Sequence, residues 1–162
     1  MQDWAYAIYI LLPVYCTNGA PVIFGGGRPI DSGRSLSDGQ RILGDHKTIR
    51  GLASGLIVGA IVGVFESFFL AQNLLPIAIL ASLGALLGDM AGAFVKRRLR
   101  IKPGGPFPVL DQLDFVIGAV LLVSLVSDVS LGTAAIVLLL TPPIHFLTNL
   151  GAYLLGLKST YW

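Results

Sequence analysis

The fold is decided by residues 74–102, which read LLPIAILASLGALLGDMAGAFVKRRLRIK. Up to Val95 this stretch carries no charge except Asp89, and five cations follow between positions 96 and 102. About 20 apolar residues are enough for a helix to cross a bilayer, and a cluster of Lys and Arg directly after such a run is typical of a cytoplasmic end. The stretch therefore predicts a membrane-spanning helix with a carboxylate inside it and a basic flank.

The rest of the chain has the same character. Of its 162 residues, 54% are hydrophobic and 12% are charged, and the mean hydropathy is +0.79. Soluble domains carry about 25% charged residues, so this composition excludes an ordinary soluble globule. At about 20 residues for each span, five spans leave room only for loops, and we expect a single membrane domain over residues 1–162. The lone Cys16 excludes a disulfide framework and a cysteine-built metal site.

We predict an all-α, polytopic membrane protein with five transmembrane helices. The apolar stretches lie at residues 3–24, 52–70, 74–95, 115–127 and 131–157. The fourth stretch is short unless residues 111–114 form its first turn. The fifth is long enough to span the membrane with a tilt, or with a kink at Pro142 and Pro143.

The basic residues are distributed unevenly over the predicted loops. Ten of the eleven lie in two long loops, at about 25–51 and 96–114, and Lys158 follows the last span. Because cytoplasmic loops carry the excess of Lys and Arg, both loops and the C-terminus are predicted to be cytoplasmic and the N-terminus to lie outside. Any chemistry is therefore expected at the cytoplasmic face of the cell membrane.

Glycine recurs every four residues along two predicted spans, at positions 51, 55, 59 and 63 and again at 84, 88 and 92. Small residues at this spacing let a neighbouring backbone approach closely in lipid. We interpret both stripes as helix-packing surfaces, either within one chain or between the two chains of a homodimer.

Three carboxylates lie in or beside the predicted spans, where a need for solubility in water does not account for them. Asp89 lies inside an apolar span, where a charge costs about 2.5 to 3.5 kcal/mol and needs a partner, a metal ion or water. Asp111 and Asp114 lie three residues apart, on one face of a helix at the cytoplasmic mouth of the bundle. A divalent cation shared with Asp89 would remove their repulsion, and hard oxygen ligands favour Mg²⁺ over zinc. Alternatively, Asp111 and Asp114 only complement a helix N-terminus.

The basic run at 96–102 lies between these acids in the sequence. Alone, such a run serves as a topology anchor or as a contact to anionic lipid. Beside carboxylates that hold Mg²⁺, however, Lys and Arg supply the contacts to phosphate oxygens that phosphoryl or nucleotidyl transfer requires. We therefore interpret the region as a polyphosphate site.

Two parts of the sequence resemble motifs of the membrane CTP:phosphatidate cytidylyltransferase superfamily. One part combines GDMAGAFVKR at 88–97, IK at 101–102 and LDQLDF at 110–115, and the other is DGQRILGDHKTIRG at 38–51. With the five-span layout, they are similar to the short archaeal branch, the CDP-archaeol synthases. The resemblance covers nearly the whole chain; Ala93, Pro103, Gln112 and Phe115 depart from the bacterial and eukaryotic pattern.

The resemblance implies a Mg²⁺-dependent enzyme that transfers CMP from CTP to the phosphate of an unsaturated archaeal ether lipid, di-geranylgeranyl-glyceryl phosphate. The products would be CDP-archaeol and pyrophosphate. No side-chain base is required, because a phosphate monoester has a second pKa of about 6 and is mostly dianionic at neutral pH. The expected partners are CTP, the isoprenoid lipid and the bilayer, and no nucleic acid is expected.

The resemblance also implies roles for individual residues. The catalytic and metal-binding carboxylates are Asp89, Asp111 and Asp114, and Lys96 is the catalytic cation. The substrate-binding residues are Lys47, Arg50, Arg97, Lys102, Asn18 and Asp45.

Some of these assignments carry alternatives. Lys47 and Arg50 are expected to contact phosphate or cytidine, and Asp38, Arg41 and Asp45 to shape the first loop. Asn18 could reach the nucleotide or form a helix-packing hydrogen bond. His145 and Asn149, four residues apart on the fifth span, are expected to form interhelical hydrogen bonds rather than line the lipid cavity.

Two other function classes remain open. Asp38, Gly39 and Arg41 faintly resemble the acidic motif of the CDP-alcohol phosphotransferases, but the Gly-x-x-x-Asp-x-x-x-Asp continuation of that motif does not follow. The other alternative is no enzyme but a small transporter or an anionic-lipid-binding scaffold, whose loop charges serve topology alone.

Overall fold

The computed structural model describes residues 2–70, 73–102 and 105–160. Its helices are α1 Asp3–Phe24, α2 Ile49–Leu70, α3 Leu75–Arg98, α4 Leu110–Val123 and α5 Leu131–Leu154. The predicted all-α class is confirmed, and α1, α2, α3 and α5 are each long and apolar enough to cross a membrane. With 14 residues, α4 is about 21 Å long, shorter than the roughly 30 Å hydrocarbon core.

The ends of α3 and α4 beside the second long loop differ from the predicted spans. Helix α3 continues to Arg98, so Lys96, Arg97 and Arg98 form its last turn instead of the start of a loop. Cations are favourable there, because the last carbonyl groups of a helix carry partial negative charge. Helix α4 begins at Leu110, so residues 111–114 do belong to the helix, with Asp111 in its first turn and Asp114 just after it. The two long loops are consequently 25–48 and 99–109, shorter than predicted.

Helix α1 is the centre of the bundle. It packs against all four other helices and buries Ala7, Ile10 and Val14 completely. Around it, α2 packs on α3, α3 on α4, and α4 on α5, whereas α2 and α5 make no helix contact over the described residues. The ring of outer helices is therefore open between α2 and α5 over the described residues.

Both glycine stripes are helix-packing surfaces within the chain, as predicted. On α2, a methyl group at Gly59 would overlap Thr17 of α1 and Ser82 of α3. On α3, Gly84 faces Gly118 of α4 so closely that neither position has room for a methyl group. Because these contacts use the stripes inside one chain, the stripes do not support a homodimer, which stays a prediction.

The connections between the helices gather at two opposite ends of the bundle. At one end, Ser130 Oγ donates to Asp3 Oδ1 at 2.7 Å, and the hydroxyl groups of Tyr6 and Ser127 lie 2.5 Å apart. At the other end, the two long loops and the residues after α5 surround one cavity. Each helix, including the short α4, thus leads from one end of the bundle to the other.

Candidate functional site

A cavity of about 610 Å³ opens at the loop end of the bundle. Asp89 of α3 lines it together with Asp111 and Asp114 of α4, and the same three residues line a second cavity of about 220 Å³. The structure therefore brings the acids of two helices to one place, and all three face the cavity interior. Lys47 and Lys96 line both cavities as well.

Close packing of α3 on α4 places Asp114 beside Asp89. Gly88 lies under the backbone carbonyl of Asp114, and Gly92 lies under its carboxylate. Any side chain at these two positions would overlap Asp114. Besides allowing the helices to pack closely, Gly88 and Gly92 therefore leave the space that Asp114 occupies.

Two of the three carboxylates are paired with lysines. Lys47 of the first loop forms a salt bridge with Asp89. Lys96 Nζ donates to both carboxylate oxygens of Asp111, at 2.7 and 2.8 Å. Asp114 Oδ1 instead accepts the backbone N–H of Phe115 at 2.6 Å. The ammonium groups reduce the repulsion among the carboxylates and would be close to any phosphate in the cavity.

These residues fit Mg²⁺ in the kind of donor they offer. Three carboxylates on one cavity supply the hard oxygen ligands that Mg²⁺ prefers. Within the described residues, however, no three His, Cys, Asp or Glu side chains form a group close enough to hold a metal ion. Lysine side chains contact Asp89 and Asp111 instead, so the metal site stays a prediction.

A strained turn sets the start of α4. Val109 has φ 70° and ψ −55°, and Leu110 N–H donates to Pro108 O at 2.9 Å, which together form a γ-turn with positive φ. This conformation is unfavourable for a β-branched residue. Asp111 stabilises the segment that leads into this turn, because its Oδ2 accepts the N–H of Phe107 at 2.8 Å. Strain of this kind clusters at functional sites, and here it directly precedes two of the three carboxylates.

The first loop is organised around Asp31, whose side chain is 1% exposed. Its carboxylate accepts a hydrogen bond at 2.6 Å from Arg41 Nη2, and it also accepts the backbone N–H groups of Gly33, Leu43 and Gly44. Burial raises the pKa of Asp31, but these hydrogen bonds outweigh it and hold the pKa well below the ordinary value of 3.8.

Asp31 was not predicted from the sequence. The available signal was the segment Asp31-Ser32-Gly33, because Asp commonly binds the N–H two residues ahead in a turn. The predicted loop-shaping residues do act with it: Arg41 binds Asp31 and also Asp45, at 2.6 Å in each case.

Arg98, in the last turn of α3, fastens this loop to the helix bundle. Its guanidinium donates to Asp38 Oδ2 at 2.7 Å and to the backbone carbonyls of Arg41 and Gln40 at 2.5 and 3.2 Å. The loop consequently lies across the end of α3. From this position Lys47 reaches Asp89.

The other predicted substrate-binding residues separate into three groups. Asn18 and Asp45 line the larger cavity. Arg97 lines the smaller cavity, but it is only 5% exposed and donates to the carbonyl of Lys102 at 3.1 Å, so it also supports the second loop. Arg50 and Lys102 are exposed and do not belong to the described lining of either cavity.

The prediction for His145 and Asn149 was wrong. Both residues line the cavity, and Asn149 Nδ2 lies 3.0 Å from His145 Nε2 on the same helix instead of bonding to another helix. The reason is that positions four apart share one helix face. Lys158, which the sequence marked only as a topology charge, also lines the cavity and binds Asn149 Oδ1 at 2.6 Å.

Comparison with known protein families identifies the family of this chain. Residues 3–162 match the model of the CarS-like family, described as CDP-archaeol synthase. The chain belongs to the CDP-archaeol synthase family. The resemblance deduced from the two sequence motifs is confirmed, and membership of this family favours neither a CDP-alcohol phosphotransferase nor a non-enzymatic scaffold.

Individual CDP-archaeol synthases are similar over nearly their whole length. The chain is 43% identical over 168 residues to the CDP-archaeol synthase of Thermococcus gammatolerans, covering 100% of this chain and 98% of the relative. It is 48% identical over 163 residues to that of Aeropyrum pernix, covering 96% and 91%.

A solved structure is similar to the whole bundle. It is described as an intramembrane enzyme for archaeal membrane lipid biosynthesis. The two sequences are 41% identical and the TM-score is 0.85, with 90% of this chain and 93% of the solved chain covered. Together with the four long apolar helices, this likeness identifies an integral membrane protein.

Proposed function

We propose that this chain forms CDP-archaeol by a direct displacement inside the cavity at the loop end of its bundle. As a member of the CDP-archaeol synthase family, the chain is a CTP-dependent cytidylyltransferase of archaeal lipid biosynthesis. One observation supports this location for the reaction: Asp89, Asp111, Asp114, Lys47 and Lys96 come from three separate segments and line one cavity.

The proposed reaction is an in-line displacement at the α-phosphorus of CTP. An oxygen of the lipid phosphate forms a bond to that phosphorus while the bond to the oxygen bridging the α- and β-phosphates breaks. The products are the CDP-lipid and pyrophosphate. Because the lipid phosphate is mostly dianionic at neutral pH, no side chain has to remove a proton, and the site acts by alignment and by stabilising charge.

The two cavity lysines would provide much of that charge stabilisation. Lys47 and Lys96 have flexible four-carbon stems, so their ammonium groups can move from Asp89 and Asp111 to phosphate oxygens. The carboxylates of Asp89, Asp111 and Asp114 would then be available to hold Mg²⁺. When bound, Mg²⁺ screens the charge of the polyphosphate. Asn18 and Asp45 would contact the nucleotide from the walls of the same cavity.

The lipid would enter through the open side between α2 and α5. At this side the cavity has the apolar lining residues Val22, Leu52 and Leu157. An isoprenoid chain can remain against the membrane there while its phosphate reaches the polar interior. We propose di-geranylgeranyl-glyceryl phosphate as the lipid.

The proposed topology is five crossings with the N-terminus outside and the cavity at the cytoplasmic face. Two observations support it. The basic residues of both long loops and Lys158 belong to the same end of the bundle, as the positive-inside rule requires of cytoplasmic segments. Helix α4 leads from that end to Ser127, beside Tyr6 of α1, so the chain crosses the bundle there despite its short helix.

A reconstituted assay tests the reaction. The purified protein in phosphatidylcholine vesicles is given labelled CTP, with Mg²⁺ or with a chelator, and either the isoprenoid ether phosphate or a diacyl phosphate. We expect labelled CDP-lipid and pyrophosphate with the isoprenoid lipid and Mg²⁺ only. If neither lipid supported turnover, the proposed function would be contradicted. Full turnover in the presence of the chelator would show that the reaction does not require Mg²⁺.

The variant Asp89→Asn tests the site. It keeps the size of the side chain but removes the charge, and we expect turnover to fall by about a hundredfold or more in a protein that still inserts. The matched control is Asp128→Asn, because Asp128 is an exposed carboxylate outside the described cavity lining. Unchanged turnover in Asp89→Asn would exclude Asp89 from the catalytic site.

A further inference from the structure

The chain turns back over the cavity after α5. Gly156 has φ 71°; its N–H donates to Tyr153 O at 2.9 Å, and the N–H of Leu157 donates to Ala152 O at 2.9 Å. This pair of hydrogen bonds is a Schellman motif, in which glycine at a left-handed position ends the helix and reverses the chain. As a result Lys158 lies beside Asn149, two turns back along α5, instead of leading away from the bundle.

Lys158 is held in the cavity wall by a short chain of polar side chains. Its Nζ donates to Asn149 Oδ1 at 2.6 Å, and Asn149 Nδ2 lies 3.0 Å from His145 Nε2. The His145 ring in turn packs on Phe115 of α4, with 5.9 Å between ring centroids. Asn149 thus links the two residues: its amide oxygen accepts from the ammonium group of Lys158, and its amide nitrogen lies beside the His145 ring.

The surroundings of Lys158 differ from those of the other two cavity lysines. Lys47 and Lys96 contact the carboxylates on α3 and α4. Lys158 follows α5 in the cavity lining, next to Leu157, which is 47% exposed, and α5 makes no contact with α2 over the described residues. Burial lowers the pKa of Lys158; the charge of Asp111 acts in the opposite direction, and the charges of Lys47 and Lys96 lower the pKa further. A bound anion would offset that cost of burial.

We propose that Lys158 binds a phosphate oxygen of the lipid substrate and that Asn149 positions its ammonium group. This inference rests on the proposed function. It assigns the two phosphate-bearing substrates to different cations: the lipid phosphate, arriving from the open side, meets Lys158, and the triphosphate meets Lys47 and Lys96. Lysine is suited to this role because its ammonium group offers three donors on a flexible stem.

The variant Lys158→Gln tests this assignment in neutral phosphatidylcholine vesicles. Glutamine can still donate to Asn149 but carries no charge. We expect the KM for the isoprenoid phosphate to rise at least about tenfold, as for loss of a hydrogen bond from a charged group, with the KM for CTP unchanged. Lys158→Arg should restore most of the lipid affinity. Asn149→Ala should raise the KM for the lipid by a smaller factor than Lys158→Gln does. The double variant should have nearly the same lipid KM as Lys158→Gln alone.

The control is Arg34→Met, which removes an exposed cation of the first loop without touching the cavity. It should leave both KM values unchanged. An unaltered lipid KM in Lys158→Gln, or an equal rise in the KM for CTP, would overturn the inference while leaving the proposed function intact. A wild-type protein inactive with CTP and lipid would overturn the proposed function and this inference with it.

Discussion

At the scale of single residues, the order of the first loop depends on a buried carboxylate. Asp31 receives hydrogen bonds from Arg41 and from three backbone N–H groups. These contacts close the loop on itself, so that Lys47 projects toward Asp89 at a fixed place. Asp31 is therefore a positioning residue, which acts on the site through the loop backbone.

The buried Asp31 carboxylate predicts that the stability of the first loop depends on pH only in the acidic range. Because the pKa of Asp31 is lower in the folded loop than its ordinary 3.8, the ionised form stabilises the loop. That stabilisation is fully present above about pH 5 and is lost as the pH falls below about 4 toward the folded pKa. Protection of amides 31–48 against hydrogen exchange should be constant from pH 7 to 5, after correction for intrinsic rates, and should decline below pH 4.

Asp31→Asn should weaken the loop at every pH and remove the part of this dependence that is due to Asp31; Asp38, whose pKa is also lowered, would contribute the rest. Loss of a charged acceptor costs about 1.5 kcal/mol or more, which corresponds to at least a roughly tenfold faster exchange of these amides. The control is Asp38→Asn in the same loop, whose more exposed side chain should matter less. Equal protection in wild type and Asp31→Asn at pH 7 would contradict the role of Asp31.

At the scale of helices, the distance between α3 and α4 is set by glycine. Gly84, Gly88 and Gly92 lie along the same face of α3, but they meet different atoms of α4. Gly88 faces the backbone of Asp114, whereas Gly92 faces its side chain. Helix packing and placement of the third carboxylate therefore depend on different members of one stripe.

Alanine substitutions should separate these two effects. At Gly92 a methyl group can be accommodated by rotating Asp114, so stability should change little while turnover falls about a hundredfold. At Gly88 the helices themselves must move apart, which should cost about 1 to 3 kcal/mol of stability. Thermal unfolding in detergent and CTP turnover measure the two effects.

Gly19 on α1 is the matched control, because a methyl group there has no neighbour within 4 Å. Gly19→Ala should retain full turnover and gain up to about 1 kcal/mol from helix propensity. If Gly92→Ala behaved like Gly19→Ala, the carboxylate of Asp114 would have no part in the reaction.

At the scale of the whole molecule, the two ends of the bundle have different chemistry. The end with Asp3, Ser127 and Ser130 has short connections and hydrogen bonds between helices. The opposite end has both long loops, the cavity and the chain after α5. Because Lys and Arg are concentrated in cytoplasmic segments, the positive-inside rule predicts that the end with the cavity faces the cytoplasm.

Cysteine labelling should report the orientation directly. In a Cys16→Ala background, a membrane-impermeant maleimide should label Asp128→Cys in intact cells and should label Arg34→Cys only after permeabilisation. Both positions are exposed in the structure, so access depends on the side of the membrane alone. The reverse pattern would place the cavity outside, and labelling of both positions in intact cells would contradict an odd number of crossings between them.

The sequence by itself determined the features that depend on composition and local order. Apolar runs of about 20 residues with cations between them predict membrane-spanning helices, because a helix satisfies all its backbone hydrogen bonds within one run. The acids within and beside the spans, and the two motifs, were sufficient to predict the family. The sequence also predicted that the segment with Asp111 and Asp114 opens the fourth helix.

Only the tertiary structure decided which of the many charged residues face the cavity. Lys158 reaches it because Gly156 reverses the chain, and Asp31 is buried because the first loop folds around it, whereas Arg50 remains exposed. Helix periodicity places residues on faces, but it does not report the path of a loop or the neighbour that a face will meet. Those depend on contacts between residues far apart in sequence, which is why the full set of cavity residues could be identified only from the folded chain.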